Sequence, residues 1–407
     1  MKIMKKSLKD FLELRNRLVS KKKKVFITRK ISTIAQDTIE DNFETKTSND
    51  NFPISNDDLK IATCKYDAIL STVCDKFDNN ILSCKNRKVE VISNYAVGVD
   101  NIDLESAKRN KVFVYNTPGV VTDSTADMTM ALLLSLSRKI ESAQRFVKEN
   151  SWNSWNPEIF IGSEMRGKTL GIIGFGRIGR AVAASAVSFG INVVYYNRSK
   201  KDFNGVSRCE NLADLLSISD FISIHLSLTE ETRHFIGIDE FKMMKRSPLL
   251  INTARGEIIS NEVLDQALSA GYISGAALDV VENEPIGSDH RLLSHKNCVI
   301  VPHIGTATND CRDNMAKIAA MNIILHYNIK ERVEKIFRNL MCEEFSLFSN
   351  MYNTGDWDSL KHLVLLSDLE KEFNIEIEHH EASQMIDGYE IINGVFNHVF
   401  KRWQSSL

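Results

Sequence analysis

At 407 residues, with 43% hydrophobic and 26% charged side chains, the chain reads as a folded protein of two or three domains, not a disordered or fibrous one. A formal net charge of −2 gives no reason to expect nucleic-acid or membrane partners. Seven cysteines with no Cys-x-x-Cys pair argue against zinc or any other metal site and read as reduced thiols of a cytoplasmic protein.

In chain order, residues 1–24 form a leader: an amphipathic helix from Met1 to Ser20, then a four-lysine run read as a solvated linker. A β/α alternation begins at Val25. Strands are expected at Val25–Thr28, Asp67–Leu70, Val89–Ile92 and from Val112, with a helix near Ile31 to Glu40. Thr125 to Val147 reads as one long helix, apolar around much of its circumference and therefore buried in a core or between subunits.

Lys168 to Arg180 is the segment around which the chain is organised. The apolar run Leu170 to Ile173 ends in Gly174-Phe-Gly176-Arg-Ile-Gly179, and an alanine-rich helical run follows. This is a dinucleotide fingerprint in strand–turn–helix context. Gly174 permits the tight turn, Gly176 lets the backbone approach a pyrophosphate, and Gly179 allows close packing of helix on strand. The helix N-terminus offers N–H groups to phosphate. Further strands at Phe221, Pro248, Gly275 and Cys298 make an α/β architecture of two Rossmann-like lobes, the second doubly wound.

The strand after the fingerprint ends in Asn197-Arg198-Ser199 followed by two lysines. An Asp or Glu at this place would accept hydrogen bonds from the ribose hydroxyls and repel a 2′-phosphate. The neutral amide, guanidinium and hydroxyl found here suit that phosphate, so NADP(H) is expected over NAD(H).

Three later segments follow apolar strands: Asn252 to Gly256, Leu278 to Pro285 and Val301 to Gly305. A 2-oxo acid needs a cation for its carboxylate and carbonyl, and Arg255 suits both. His303 suits the proton donor, since imidazole titrates near neutral pH. Glu284 suits the carboxylate that orients and charges the imidazole.

With these motifs in hand, Val25 to about Ile329 resembles the D-isomer-specific 2-hydroxyacid dehydrogenases, in particular the glyoxylate/hydroxypyruvate reductase branch. The carrying residues are Asn94 to Asp103, Asn116 to Asp127, Gly171 to Gly179, Asn252 to Gly256, Asp279 to Pro285 and Pro302 to Gly305. The resemblance implies Arg255, Glu284 and His303 as the catalytic set and the N–H groups of Val97 and Gly98 as a carboxylate cradle. It implies cofactor contacts at Thr125, Arg177, Ile178, Thr253 and Asp279. It also implies a substrate domain over 25–121 plus 305–329, and a nucleotide-binding domain over 122–304 through which the protein forms a homodimer.

Beyond Ile329 the character changes. Glu331 to Leu407 holds 14 acidic and 7 basic residues, while the preceding chain is net positive, which suggests a separate all-helical domain over 331–407. Around Asp358-Ser359-Leu360, and again at Phe373-Asn-Ile-Glu-Ile377, this tail looks like an acyl carrier protein. The likeness implies Ser359 as the attachment point of 4′-phosphopantetheine, with a phosphopantetheinyl transferase and an acyl-loading enzyme as partners. Ser359 would start a helix with an apolar face of Leu360, Leu363, Val364, Leu366, Leu369 and Phe373. Two other readings are a nucleotide-sensing binding protein on the same fold, and a dehydrogenase whose acidic tail is an unmodified docking module.

Overall fold

The computed structural model describes residues 23–48 and 52–405. The expected helix from Met1 to Ser20 lies outside them. Of the lysine run, Lys24 begins a strand and Lys23 pairs with Asp67 at 3.2 Å, so its end is part of the fold, not a linker.

The chain divides into two compact units, one formed by residues up to Pro118 and from Asp313 onward, the other by Gly119–Arg312. These breaks fall at 118/119 and 312/313, against the 121/122 and 304/305 expected from the sequence. They do not separate the tail, which belongs to the first unit.

In the first unit, strands β1 (Lys24–Ile27), β2 (Glu44–Thr47), β3 (Ala68–Ser71), β4 (Val91–Asn94) and β5 (Phe113–Tyr115) form a parallel sheet in the order β2-β1-β3-β4-β5. β3 and β4 are buried at every position, as expected of parallel strands covered on both faces. β2 has the sequence Glu-Thr-Lys-Thr and alternates exposed with half-buried residues. It is an edge strand held by backbone pairing to β1, and no apolar pattern announces it.

The second unit holds seven parallel strands: β6 (Thr169–Ile173), β7 (Asn192–Tyr196), β8 (Val206–Arg208), β9 (Phe221–Ile224), β10 (Leu249–Asn252), β11 (Gly275–Leu278) and β12 (Cys298–Ile300). Their order is β12-β11-β10-β9-β6-β7-β8. The order reverses between β6 and β9, and the carboxyl ends of strands at such a switch point are where nucleotides bind.

The expected helix from Thr125 to Val147 is two helices, Thr122–Ser137 and Ile140–Lys148. Lys139 adopts a left-handed conformation with φ 53° and breaks the run. The first helix is buried through Ala126, Met130, Leu132, Leu133 and Leu136. The second buries nothing, and leaves Ile140 and Val147 exposed.

The expected domain boundary at 329–331 is corrected by a single helix, Asn309–Met341, that runs straight across it. The tail continues as helices Ser359–Phe373, His379–Ala382 and Gly388–Ser405. It shares an aromatic core with the sheet. Phe396 stacks on Tyr115 and Tyr389 on Phe113, with Lys111–Asp387 at 2.7 Å and Lys108–Glu390 at 3.0 Å around them.

Helix Ser359–Phe373 also differs from expectation. Leu365, Leu366, Leu369 and Phe373 face the core, whereas Leu360, Leu363 and Val364 are exposed. The 365/366/369/373 spacing aligns one helical stripe, and the other three residues fall outside it.

Candidate active site

Gly174 follows β6 with φ 93°, and a Cβ there would lie 2.6 Å from the carbonyl oxygen of His225. A Cβ on Gly179 would lie 2.4 Å from the Gly174 oxygen, so helix and strand touch at that point. Around Gly176 a Cβ would meet nothing within 4 Å. That is open space at the head of helix Arg177–Ser188, whose N-cap is Gly176 and which has no capping side chain. The N–H groups at Arg177, Ile178 and Gly179 begin a helix with no side chain to satisfy them, a fit for a pyrophosphate.

Asn197 lies beyond the end of β7. Its Oδ1 accepts from Phe175 N at 3.1 Å, and its Nδ2 donates to the Ser199 oxygen at 2.8 Å. The amide therefore joins the glycine turn to the basic turn and is already engaged. Arg198 and Ser199 remain exposed beside it.

Arg255, Glu284 and His303 stand on the turns that leave β10, β11 and β12, three adjacent strands. The Arg255 turn is shaped by Asn252, whose Nδ2 donates to the Arg255 oxygen at 2.9 Å while its Oδ1 accepts from Ala254 N at 3.0 Å. A Cβ on Gly256 would lie 2.0 Å from the Val281 carbonyl carbon, so this turn presses on the segment that carries Glu284.

Glu284 Oε2 lies 2.9 Å from His303 Nδ1. Its other oxygen, Oε1, accepts from Val281 N at 3.0 Å, so the carboxylate is fixed on both sides. Asp279 is buried; its Oδ1 accepts from Ile304 N at 2.6 Å and its Oδ2 from Gly305 N at 2.9 Å. Burial pushes the Asp279 carboxyl up, and the two N–H donors oppose that shift. These two bonds clamp the turn that bears His303 onto Asp279.

Thr125 and Thr253 are both buried and are bridged by a residue that sequence reasoning missed. Thr129 Oγ1 donates to the Thr125 oxygen at 2.8 Å and lies 2.9 Å from Thr253 Oγ1. Thr129 is one helical turn from Thr125, a spacing that offers this bond.

Val97 and Gly98 lie in the loop after β4, in the first unit. Asn116 Nδ2 donates to the Val97 oxygen at 2.7 Å and Asn94 Nδ2 to the Gly98 oxygen at 2.9 Å. With both carbonyls held, the orientation of the loop is set. Ser359 is exposed at the first residue of its helix, and Asp358 caps that helix through Lys361 N at 2.8 Å.

Three comparisons bear on this arrangement. The family described as D-isomer specific 2-hydroxyacid dehydrogenase, NAD binding domain, matches residues 130–305. A glyoxylate reductase of Thermococcus litoralis is 43% identical over 310 residues, 74% of this chain and 93% of that protein. The crystal structure of a glyoxylate reductase from Paecilomyes thermophila has 30% identity and a TM-score of 0.67 over 76% of this chain and 96% of its own. That of an NADPH-dependent glyoxylate/hydroxypyruvate reductase from Sinorhizobium meliloti, in complex with citrate, has 26% identity and a TM-score of 0.65, covering 75% and 95%.

Proposed function

Since the chain belongs to the D-isomer-specific 2-hydroxyacid dehydrogenase family, an NAD(P)-dependent group of oxidoreductases, we propose that it reduces a small 2-oxo acid of the glyoxylate or hydroxypyruvate class, with NADPH preferred, in the cytoplasm. The observation that carries this reading is the Glu284–His303 pair, 2.9 Å apart and fixed by Val281 N. Its Nδ1–H donates to Glu284, which leaves Nε2 on the far side of the ring to hold the proton delivered to the substrate oxygen. Arg255 holds the substrate carboxylate and polarises the carbonyl. The N–H groups of Val97 and Gly98 in the first unit are further proposed substrate contacts. A bound nicotinamide cofactor would supply the hydride for C2. As charge develops on the carbonyl oxygen, Arg255 stabilises it and His303 neutralises it by proton transfer.

Arg177, Ile178, the three fingerprint glycines, Thr125 and Thr253 are the proposed cofactor contacts. The exposed Arg198–Ser199 turn supports a 2′-phosphate, in keeping with the NADPH dependence of the Sinorhizobium meliloti enzyme. Oxidation of NADPH and of NADH, followed by absorbance with glyoxylate and hydroxypyruvate, tests both parts. NADH used as well as NADPH would overturn the cofactor assignment. Tight cofactor binding without turnover of either acid would favour a sensing role.

A homodimer through the nucleotide-binding unit is supported by the apolar residues exposed on and after helix Ile140–Lys148. These are Ile140, Val147, Trp152, Trp155 (81% exposed) and Ile161, too many for a solvated face.

A second reading concerns the tail. Exposure of Ser359 at a capped helix start, beside exposed Leu360 and Leu363, supports a carrier role with 4′-phosphopantetheine on its hydroxyl. Intact mass after treatment with coenzyme A and a phosphopantetheinyl transferase tests it, with Ser359→Ala as control. An unchanged mass would make the tail an unmodified docking element.

A further inference from the structure

Cys64 closes helix Asn56–Lys65, and Cys84 follows the short helix Asn79–Leu82. Their Sγ atoms are 3.2 Å apart, roughly 1 Å more than the ~2.05 Å of a disulfide bond. Both side chains are half-buried, and both thiols are free.

The backbone around the pair is held. The Thr63 oxygen accepts from Lys88 N at 2.8 Å and from Val89 N at 3.0 Å, which ties the Cys64 end of the helix to the strand-entry segment. Arg87 N donates to the Cys84 oxygen at 3.0 Å, and the Arg87 guanidinium binds the carbonyls of Val89 and Asn110. With both segments held, side-chain rotation is the route by which the sulfurs, already 3.2 Å apart, would meet.

The two thiols are also unlike. A hydrogen bond from Cys64 and another from Asn86 N–H push the Cys84 thiol down, with Lys60 and Arg87 adding positive charge nearby. Burial and the bond to Cys84 push Cys64 up. One member suits the attacking thiolate and the other the resolving thiol.

We propose that Cys64 and Cys84 form a redox-active dithiol that closes to a disulfide on meeting a low-molecular-weight disulfide of the glutathione type. The Cys84 thiolate attacks one sulfur of the small disulfide and expels its partner as a thiolate. Cys64 gives up its proton and attacks Cys84 Sγ, expelling the second thiolate. The two cysteines lose two electrons and two protons, and the small disulfide is reduced to two thiols.

The crosslink encloses β3 and the turn at Thr72–Asp75. Asp75 Oδ2 accepts from Thr28 Oγ1 at 2.6 Å and from Thr72 N at 2.7 Å. Asn101 Nδ2 donates to the oxygens of Thr72 and Asp75, and Asn94 Nδ2 donates to Asn101 Oδ1 and to the Gly98 oxygen. Oxidation thus clamps the segment that backs the Val97–Gly98 loop. Closing a loop of this length restrains the unfolded chain, so the oxidised protein melts higher than the reduced one.

The experiment is thiol mapping of the full chain across buffers of reduced and oxidised glutathione. The expected result is a Cys64–Cys84 linked peptide and loss of two of the seven alkylatable thiols, reversed by dithiothreitol. Cys64→Ser should trap a glutathione adduct on Cys84, while Cys84→Ser should leave Cys64 unmodified. Crosslinks through exposed Cys74 or Cys342 in place of this pair would overturn the proposal. So would full alkylation of both cysteines in oxidised glutathione. The mapping reads a covalent bond in the unmutated chain, so its outcome stands apart from whether the protein reduces a 2-oxo acid.

Discussion

The ring of Phe396 lies on that of Tyr115, with centroids 3.8 Å apart and planes 18° from parallel. Tyr115 ends β5, the strand at one edge of the first sheet, and Phe396 belongs to the last helix of the tail. A tail that composition sets apart as a separate domain is joined to the first sheet by a buried contact.

Phe396→Ala should lower the stability of the first unit by about 3–5 kcal/mol, the usual loss for a buried aromatic residue. A chain ending at residue 341 should fare worse, since it uncovers both Phe113 and Tyr115. Differential scanning calorimetry decides the matter. A melting temperature unchanged by the truncation would mean that the tail folds apart from the sheet.

Glu284→Gln keeps the side-chain shape but removes the charge beside His303 Nδ1. The proton on Nε2 is then held less well in the transition state. We expect kcat to fall by about 10²–10⁴, the range for general acid–base groups, with KM for the 2-oxo acid changed far less. Steady-state kinetics with saturating NADPH provides the check, and a loss confined to KM would point to substrate binding instead.

Two glycines of the fingerprint should separate binding from folding. Gly176→Ala adds a methyl group to open space, so thermal stability should hold while cofactor affinity falls. Gly179→Ala drives its Cβ to within 2.4 Å of the Gly174 oxygen and should lower the melting temperature as well. Cofactor titration by fluorescence, paired with thermal melts, distinguishes the two. Unchanged cofactor binding in Gly176→Ala would remove the phosphate cradle from that position.

His225 follows β9 and is half-buried, with Nε2 2.8 Å from Ser223 Oγ. Burial lowers its imidazole from 6.5 to about 3, so the folded protein keeps it neutral while the unfolded chain takes up a proton below pH 6.5. Its contribution to stability is therefore complete above pH 6.5 and is lost as the pH falls toward 3, at up to about 1.4 kcal/mol per pH unit. Buried His326 is shifted the same way in the first unit. Melting temperatures measured from pH 7.5 to 5 should drop, and His225→Gln should flatten part of that slope. An equal slope in the variant would assign the acid sensitivity elsewhere.

The sequence by itself determined the nucleotide unit and the strand ends on which Arg255, Glu284 and His303 stand. Those features are local: an apolar run, a glycine turn and a helix carry their own signature within a dozen residues. Tertiary structure decided the rest. β2 and the break at Lys139 carry no apolar period, since backbone pairing holds the first and a single left-handed residue makes the second. Asp279 clamps the turn at Ile304 and Gly305, which comes back to it from across β12. The tail's composition suggested independence, yet Tyr115 and Phe396 meet across most of the chain's length. Periodicity tells which face of an element is apolar, but the element that will cover it is chosen by topology.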